Sequence, residues 1–435
     1  MKLYKSPYNK IVKSKKYGYL LFAGNTGTIK SIRLMDVFRL KNPNFFSPND
    51  KFLNIGAVLS EKPKDFMLRA QCKSYKQCAF HATELVIAPT MLCNFKCPYC
   101  FVKDNLKNQL MSKETINKIL NLIKVQGNVC MVEWFGGEPS LVPDLLEYFY
   151  HKAYENNIKI IRSLLITNGS FENTDIWPII EKYITQIQIT LDGTKDIHNE
   201  RRIYKNGKGS FDKILNTLDL LYEKIHEGKV KNNLDVIIRC NIDKNNLLDS
   251  ITLRNFILDR YDSVFRFEFA KVCKAGIEEY DKNILSDKEW ANFLIKLYEE
   301  YGILTYPYLP TNHVLYHHCR ASIPHSYVFD PIGNIYKCEI DLGEDDKIVG
   351  NCNYSFISKN NIEAKYASST YTLLPKKCYK CSLLFFCWGG CVHYRFENGM
   401  KSNCKYHKRK LDKIIEISYE ISTIRNKNKN IQGIL

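Results

Sequence analysis

The sequence predicts an α/β protein built on a parallel sheet with right-handed crossovers. A small mixed α/β unit precedes the sheet, and a cysteine-organised segment follows it. Three observations carry this reading. Apolar strand-like runs at Glu84–Ala88, Val129–Phe135, Ile158–Thr167, Thr185–Leu191, Leu234–Asn241 and Phe265–Ala270 alternate with segments of helical period. Polar and glycine-rich motifs follow several of these runs, which is where reactive loops belong in a parallel sheet. Cysteines gather in a loop directly after the first run and again between residues 311 and 405.

Taken in order, residues 1–80 open with Tyr17-Gly-Tyr-Leu-Leu-Phe22 as a strand and Asn25-Thr-Gly27 as its turn. Ser31 to Leu40 has a weak helical pattern, and Phe52 to Leu59 returns to an apolar stretch. In the repeating region, Ser112-Lys-Glu-Thr115 reads as the N-cap of the first helix, and Asn245–Leu258 and Ser286–Glu300 as the last two. Residues 311–405 break the rhythm with short strand-like pieces and turns. Residues 406–425 read as an amphipathic helix ending in a Lys/Asn-rich tail.

Composition narrows the class. At 435 residues the chain exceeds what one core usually organises, so two or three domains are expected. Hydrophobic residues make up 45% and charged residues 25%, as in ordinary globular proteins. There is no run of 18 apolar residues and no secretory signal at the start, so a cytoplasmic protein without membrane contact is expected. Disulfides are rare there, and sixteen cysteines call for metal or cluster ligation instead. The formal charge of +17 counts every thiol as neutral, so ligation would make the true balance less basic. The lysines are spread along the chain with no arginine-rich block. The excess therefore reads equally as a solvated surface or as affinity for an acidic peptide, and a nucleic-acid partner is not expected.

The run Met91-Leu-Cys-Asn-Phe-Lys-Cys-Pro-Tyr-Cys-Phe101 places Cys93, Cys97 and Cys100 in one loop. Three thiolates at this spacing can hold three irons of a four-iron–four-sulfur cluster and leave the fourth without a protein ligand. A cluster built for electron transfer takes four. An open iron can bind and reduce a small molecule, and the partner known for this spacing is S-adenosylmethionine. Surface thiols, or a zinc knuckle with a distant fourth ligand, are the plainer alternatives. Further along, Glu133-Trp-Phe-Gly-Gly-Glu-Pro139 ends the second strand, with two glycines that allow close approach to a ligand. Thr167-Asn-Gly-Ser170, Gln188-Ile-Thr-Leu-Asp-Gly193, His198-Asn-Glu-Arg-Arg202 and Gly207-Lys-Gly-Ser-Phe211 follow, and an arginine here could grip a carboxylate.

In this order the motifs resemble the radical S-adenosylmethionine superfamily, and within it the members with a C-terminal SPASM domain, over about residues 84–405. The resemblance implies a partial (β/α)6 TIM-like barrel over residues 81–310, a SPASM domain over 311–410, and a C-terminal helix and tail over 411–435. It implies that Cys93, Cys97 and Cys100 hold the active cluster and that Tyr99 lies against the adenine. Gly136, Gly137 and Glu138 would contact the methionine amino group. Thr190, where the family usually has serine, and Arg202 would contact the ribose or the methionine carboxylate, with Arg239 as the alternative arginine.

Cys319, Gly333 and Cys338 fit the family pattern Cys-x13-Gly-x4-Cys, while Cys378, Cys381, Cys387 and Cys391 fit Cys-x2-Cys-x5-Cys-x3-Cys. Cys404 closes the set. The resemblance implies two auxiliary four-iron–four-sulfur clusters, three in all. One would use Cys378, Cys381, Cys387 and Cys404, the other Cys319, Cys338 and Cys391. Relatives often carry a cysteine where His313 stands here. The second auxiliary set is therefore either open to a substrate thiol or completed by Cys352, which is preferred. Structural zinc is the alternative for this region. Glu339 stands where sulfatase-maturing relatives have an aspartate proposed as a base for a substrate thiol. Cys72, Cys78, Cys130 and Cys240 read as packing thiols, and Cys273 as lying near the site mouth. Residues 1–80 resemble the leader-binding domain of peptide-modifying members, which binds its peptide as an added strand.

The expected function is that of a peptide maturase. It would cleave S-adenosylmethionine reductively, take a hydrogen from a ribosomally made precursor peptide and form a thioether or other crosslink, with flavodoxin or ferredoxin as reducing partner. An anaerobic sulfatase maturase, making formylglycine from Cys or Ser, is the first alternative. A non-catalytic metal-cluster scaffold is the second.

Overall fold

The computed structural model describes residues 2–79, 82–102, 108–171, 175–231, 233–272, 278–305, 319–353, 361–369, 373–402, 404, 408 and 410–427. The chain begins with strands β1 (Tyr4–Lys5), β2 (Asn9–Ser14), β3 (Gly18–Ala23) and β4 (Thr28–Ile32). Helices α1 (Leu34–Arg39) and α2 (Lys51–Asn54), strand β5 (Val58–Leu59) and helix α3 (Pro63–Ala79) follow. The repeating part comes next. It runs β6 (Thr83–Ile87), α4 (Lys113–Val125), β7 (Val129–Trp134), α5 (Pro143–Glu155), β8 (Lys159–Thr167), α6 (Ile176–Tyr183) and β9 (Gln186–Thr190). It continues with α7 (Lys195–Arg201), α8 (Phe211–His226), β10 (Asp235–Ile242), α9 (Asp249–Arg260), β11 (Arg266–Lys271) and α10 (Glu278–Asp281). The last part holds α11 (Asp287–Tyr301), β12 (Ser326–Phe329), β13 (Asn334–Tyr336), β14 (Gly350–Asn351), α12 (Ile362–Ser368), α13 (Leu384–Cys387), α14 (Val392–Glu397) and α15 (Leu411–Lys427).

These elements form two compact units. One comprises Met1–Phe80, Ser286–Pro324 and Lys365–Leu435, the other His81–Leu285 and His325–Ala364. In the second unit all six expected strands form, each within a residue or two of its apolar run. They pair in parallel and in chain order from β6 to β11, giving the partial (β/α)6 barrel. Ser112 caps α4 as expected, its hydroxyl accepting the Thr115 N–H at 3.0 Å, a contact that stabilises a helix by about 1 kcal/mol.

The sheet is larger than the sequence pattern indicates. Strand β12 pairs in parallel with the outer edge of β6, from Ser326 against Glu84 to Phe329 against Ile87. It then turns back through β13 and β14, so the sheet has nine strands. Residues 326–351, expected in the cysteine-organised segment, thus cover an otherwise unpaired strand edge. Val86, Ala88, Met91, Val102, Val328, Tyr336 and Leu342 form one core at this junction.

In the first unit, β2, β3 and β4 make a three-stranded antiparallel sheet with β3 in the middle. The run Leu20-Leu21-Phe22 is fully buried because each face of the sheet has its own cover. Leu20 and Phe22 pack with Leu383, Ile414 and Ile415, whereas Leu21 packs with Leu40, Phe46 and Phe52. Tyr8, Met67 and Ala70 share a further core with Leu374, Cys378, Phe385 and Trp388. The N-terminal residues and the last cysteine-bearing segment therefore form one folded body. Helix α11, expected as the barrel's last helix, belongs to this unit as well. Among the described residues no helix is long and apolar enough to cross a membrane.

Candidate active site and cysteine sets

The loop after β6 is fixed by backbone contacts on two sides. On one side, Gly137 N–H donates to the Thr90 carbonyl at 3.0 Å and Glu138 N–H to the Leu92 carbonyl at 2.7 Å. A Cβ on Gly136 would lie 2.7 Å from Ala88 Cβ, and one on Gly137 would lie 2.0 Å from the Leu92 carbonyl oxygen. The two glycines read from sequence as room for a ligand are thus required by the cysteine loop itself. On the other side, Lys96 N–H donates to Ile203 at 2.9 Å and Lys205 N–H to Asn94 at 2.9 Å.

The loop brings its three thiols into electrostatic contact, Cys93 with both Cys97 and Cys100. Phe95 N–H donates to Cys93 Sγ at 3.4 Å. Burial, and then the charge of Glu138, push the Cys93 thiol up to about 12. Burial also pushes Cys97 up, against the pull of the Arg202 guanidinium. Thiols held this way stay protonated at neutral pH until a metal displaces the proton. Three convergent thiols with an N–H donor and a cation beside them fit an iron–sulfur cluster, whose sulfur atoms carry negative charge.

Glu138 is 1% exposed and both its oxygens are occupied. One accepts the Ser140 N–H at 3.0 Å and the Thr167 hydroxyl at 2.7 Å, and the other accepts the Asn168 N–H at 2.7 Å. It joins the ends of β7 and β8. Burial raises its pKa although these donors oppose the shift.

Tyr99 stands at the centre of a polar network. Its hydroxyl contacts Asp192, accepts Arg202 Nη1 at 2.8 Å and lies 3.5 Å from Asn241 Nδ2. Arg202 also lies over the Phe95 ring, 5.5 Å from its centroid, and among the described residues its Nε has no partner. Thr190 sits elsewhere, paired in register with Arg239 across β9 and β10. The two candidate arginines thus occupy different places: Arg202 beside the cysteine loop, Arg239 beside Thr190.

Sequence reasoning missed several members of this network. Arg201 donates to Asp243 at 2.5 Å and to the Asn241 carbonyl at 2.9 Å, and lies over the Tyr99 ring. Tyr280 also donates to Asp243. His198 is fully buried, and burial holds its pKa well below the usual imidazole range. Its Nδ1 accepts the Asp192 N–H at 3.2 Å, so Nε2 carries the proton toward Ser210 Oγ at 3.0 Å. The Ser210 hydroxyl in turn donates to the Arg202 carbonyl at 2.6 Å. The motif His198-Asn-Glu-Arg-Arg202 signalled this region, but not which of its residues meet.

In the first unit, Cys378 is in electrostatic contact with Cys387, Cys381 and Cys404, the four that the family pattern groups. Cys319 and Cys391 also lie in this unit, and Cys338 and Cys352 in the other. Cys338 follows β13 and Cys352 follows β14. The β13–β14 register sets Cys352 beside Gly333, to which its N–H donates at 2.9 Å. The Cys352 thiol lies within the field of Lys118 and Asp330. Glu339 opens a short 3-10 turn and is half-buried, whereas Asp341 in the same turn is 1% exposed. Cys130 and Cys240 are buried and Cys72 is exposed. His313, Cys273 and the side chain of Cys78 lie outside the described residues.

Residues 87–250 match the sequence profile of the Radical SAM superfamily. The chain is 25% identical over 372 residues to the cysteine-type anaerobic sulfatase-maturating enzyme of Clostridium novyi (strain NT), covering 76% of this chain and 95% of that enzyme. Native anSMEcpe with bound AdoMet and Cp18Cys peptide shares the fold, with a TM-score of 0.62 at 19% identity, over 80% of this chain and 99% of that one. Streptococcus suis SuiB bound to precursor peptide SuiA superposes with a TM-score of 0.54 at 16% identity, over 92% of this chain and 99% of that one.

Proposed function

Since the chain belongs to the radical S-adenosylmethionine superfamily, we propose that it oxidises a cysteine or serine side chain of a peptide to formylglycine. The observation that carries this reading is the similarity to a cysteine-type sulfatase-maturating enzyme along 95% of that enzyme's length. Cys93, Cys97 and Cys100 would hold the active cluster. Cys378, Cys381, Cys387 and Cys404 would hold one auxiliary cluster, and Cys319, Cys338 and Cys391 another. Its fourth position would be completed by Cys352 or left open to a substrate thiol. When bound beside Cys93, Cys97 and Cys100, a cluster and S-adenosylmethionine would supply radical hydrogen-abstraction chemistry.

The chain's own residues do the remaining work. Arg202 offsets negative charge at the cysteine loop, and His198 and Ser210 fix the backbone on which Asp192 and Arg202 sit. Gly136 and Gly137 seat the loop against the end of β7. Tyr99, Thr190 and Arg239 are the proposed contacts for the adenosyl and methionine parts. Glu339, with the buried Asp341 beside it, is the proposed proton acceptor for the substrate's thiol or hydroxyl. A reductant of the flavodoxin or ferredoxin kind would supply the electron.

A second reading, crosslinking of a ribosomal precursor peptide, is favoured by the N-terminal sheet with α1, α2 and α3, and by the match to a precursor-bound enzyme over 92% of this chain. Deleting residues 1–79 cannot separate the two, because Tyr8, Leu20 and Phe22 are part of the core beneath the cysteine segment. Product chemistry can. The reconstituted chain is incubated anaerobically with S-adenosylmethionine, dithionite and short Cys- or Ser-bearing peptides, and 5′-deoxyadenosine and a hydrazide-trapped aldehyde are measured. The first reading expects both. A peptide that only loses hydrogen and forms no aldehyde overturns it in favour of the second.

A further inference from the structure

Arg395 lies on α14, four residues after Cys391, and is 0% exposed. Its Nη1 donates to the Ser369 carbonyl at 3.0 Å and the Leu373 carbonyl at 3.5 Å. Among the described residues its Nε and Nη2 have no partner. The chain makes room for the group, since a Cβ on Gly389 would lie 3.1 Å from Nη1 and 3.4 Å from Cζ. The charges acting on it belong to thiols: Cys378 and Cys387 from one family-assigned set, Cys319 and Cys391 from the other. A guanidinium keeps its proton in any protein setting. Burying one with two donors unused is strongly unfavourable unless an anion meets them. Among the described residues carbonyls satisfy one nitrogen only, and the charges that reach the group are those of four cysteines.

We propose that Arg395 is the shared counter-cation of the two auxiliary clusters, donating from Nε and Nη2 to their sulfur atoms and holding both reduction potentials up. This rests on the reading above that these cysteines ligate clusters. Reduction adds negative charge, so a fixed buried cation and its hydrogen bonds favour the reduced form. Both clusters then become better acceptors for the electron released when the substrate is oxidised. The loop cluster, served by Arg202, is not affected.

The test is a redox titration of the anaerobically reconstituted full chain, followed by electron paramagnetic resonance, with iron and sulfide counted first. Arg395→Gln is expected to lower the equilibrium constant for one-electron reduction of the auxiliary clusters at least tenfold (about 59 mV for one electron), with the loop cluster unchanged. Arg395→Lys, which keeps the charge and loses the fork, is expected to fall between. Auxiliary potentials unchanged in a fully loaded Arg395→Gln overturn the proposal. Should neither variant load, the chain carrying Arg395 decides. It is labelled with guanidino-¹⁵N arginine in an Arg320→Lys background, which removes the arginine next to Cys319, and examined by pulsed resonance. Coupling of a reduced auxiliary cluster to arginine nitrogen is expected, and its absence overturns the proposal. If the unaltered chain holds iron only at the loop, the cluster reading itself has failed.

Discussion

The loop after β6 and the segment around Cys378 both gather thiols, but by different means. The loop is held by backbone hydrogen bonds from Gly137, Glu138, Lys96 and Lys205, and its neighbouring cations are answered by Asp243, Asp192 and Tyr99. The Cys378 segment is held by apolar packing on Tyr8, Met67, Leu374 and Trp388, and its buried arginine feels thiols rather than carboxylates. Thiols presented by a pinned loop can lose their metal while the strands beneath stay folded. Thiols that are themselves part of a core cannot be altered without the core responding.

The largest expected effect tests this difference directly. Replacing Cys93, Cys97 and Cys100 together by alanine should reduce 5′-deoxyadenosine formation to background and remove about four irons, with little change in the melting temperature by circular dichroism. Trp388→Ala should do the reverse. It removes a fully buried indole from the core that contains Cys378, at a cost of about 3–5 kcal/mol, a large share of a domain's stability. Iron should be lost from the auxiliary set, together with a marked fall in melting temperature. Equal losses of stability in the two variants would break the comparison.

Two glycines give a smaller and more closely matched pair. Alanine at Gly137 would place Cβ 2.0 Å from the Leu92 oxygen, and alanine at Gly24 would place it 1.7 Å from the Ser382 oxygen. Each collision is backbone against side chain and should cost about 1–3 kcal/mol. Gly137→Ala displaces Leu92, the neighbour of Cys93, so binding and cleavage of S-adenosylmethionine should fall further than stability does. Gly24→Ala presses on the residue after Cys381, so melting temperature and iron content should fall together. Calorimetry alongside a cleavage assay separates the two patterns.

What was legible in the sequence follows the same division. The six strands could be read because each is rich in apolar residues, in continuous or alternating order, and is closed by polar punctuation. The loop cysteines could be read because their spacing lies within eight residues of one another. Long-range pairing could not. Nothing in Ser326-Tyr-Val-Phe329 marks it as the strand that covers β6, and the contact of Arg202 with Tyr99 spans 103 positions. Gly136 and Gly137 were visible as a motif, yet the neighbour that requires them is the cysteine loop. Arg395 resembles any surface cation in a sequence, because only folding reveals that its side chain is buried.

The smallest expected effect belongs to Glu138, and its sign sharpens the account of the loop region. Glu138→Gln keeps the shape but turns an amide donor toward the Asn168 or Ser140 N–H, which should cost about 1–3 kcal/mol. The pH dependence moves the other way. Burial raises the carboxyl's pKa in the folded chain above its ordinary value of 4.5, so the folded state holds this proton where the unfolded state has lost it. Its contribution is fully present below 4.5 and fades as pH rises through the raised folded value. Urea unfolding of the iron-free chain across that window should therefore show stability falling with pH. The slope should flatten in Glu138→Gln, so that the variant's deficit narrows toward neutral pH. A deficit that widens instead would mean that the three donors around Glu138 outweigh its burial, and that the carboxylate anchors the loop as a charge.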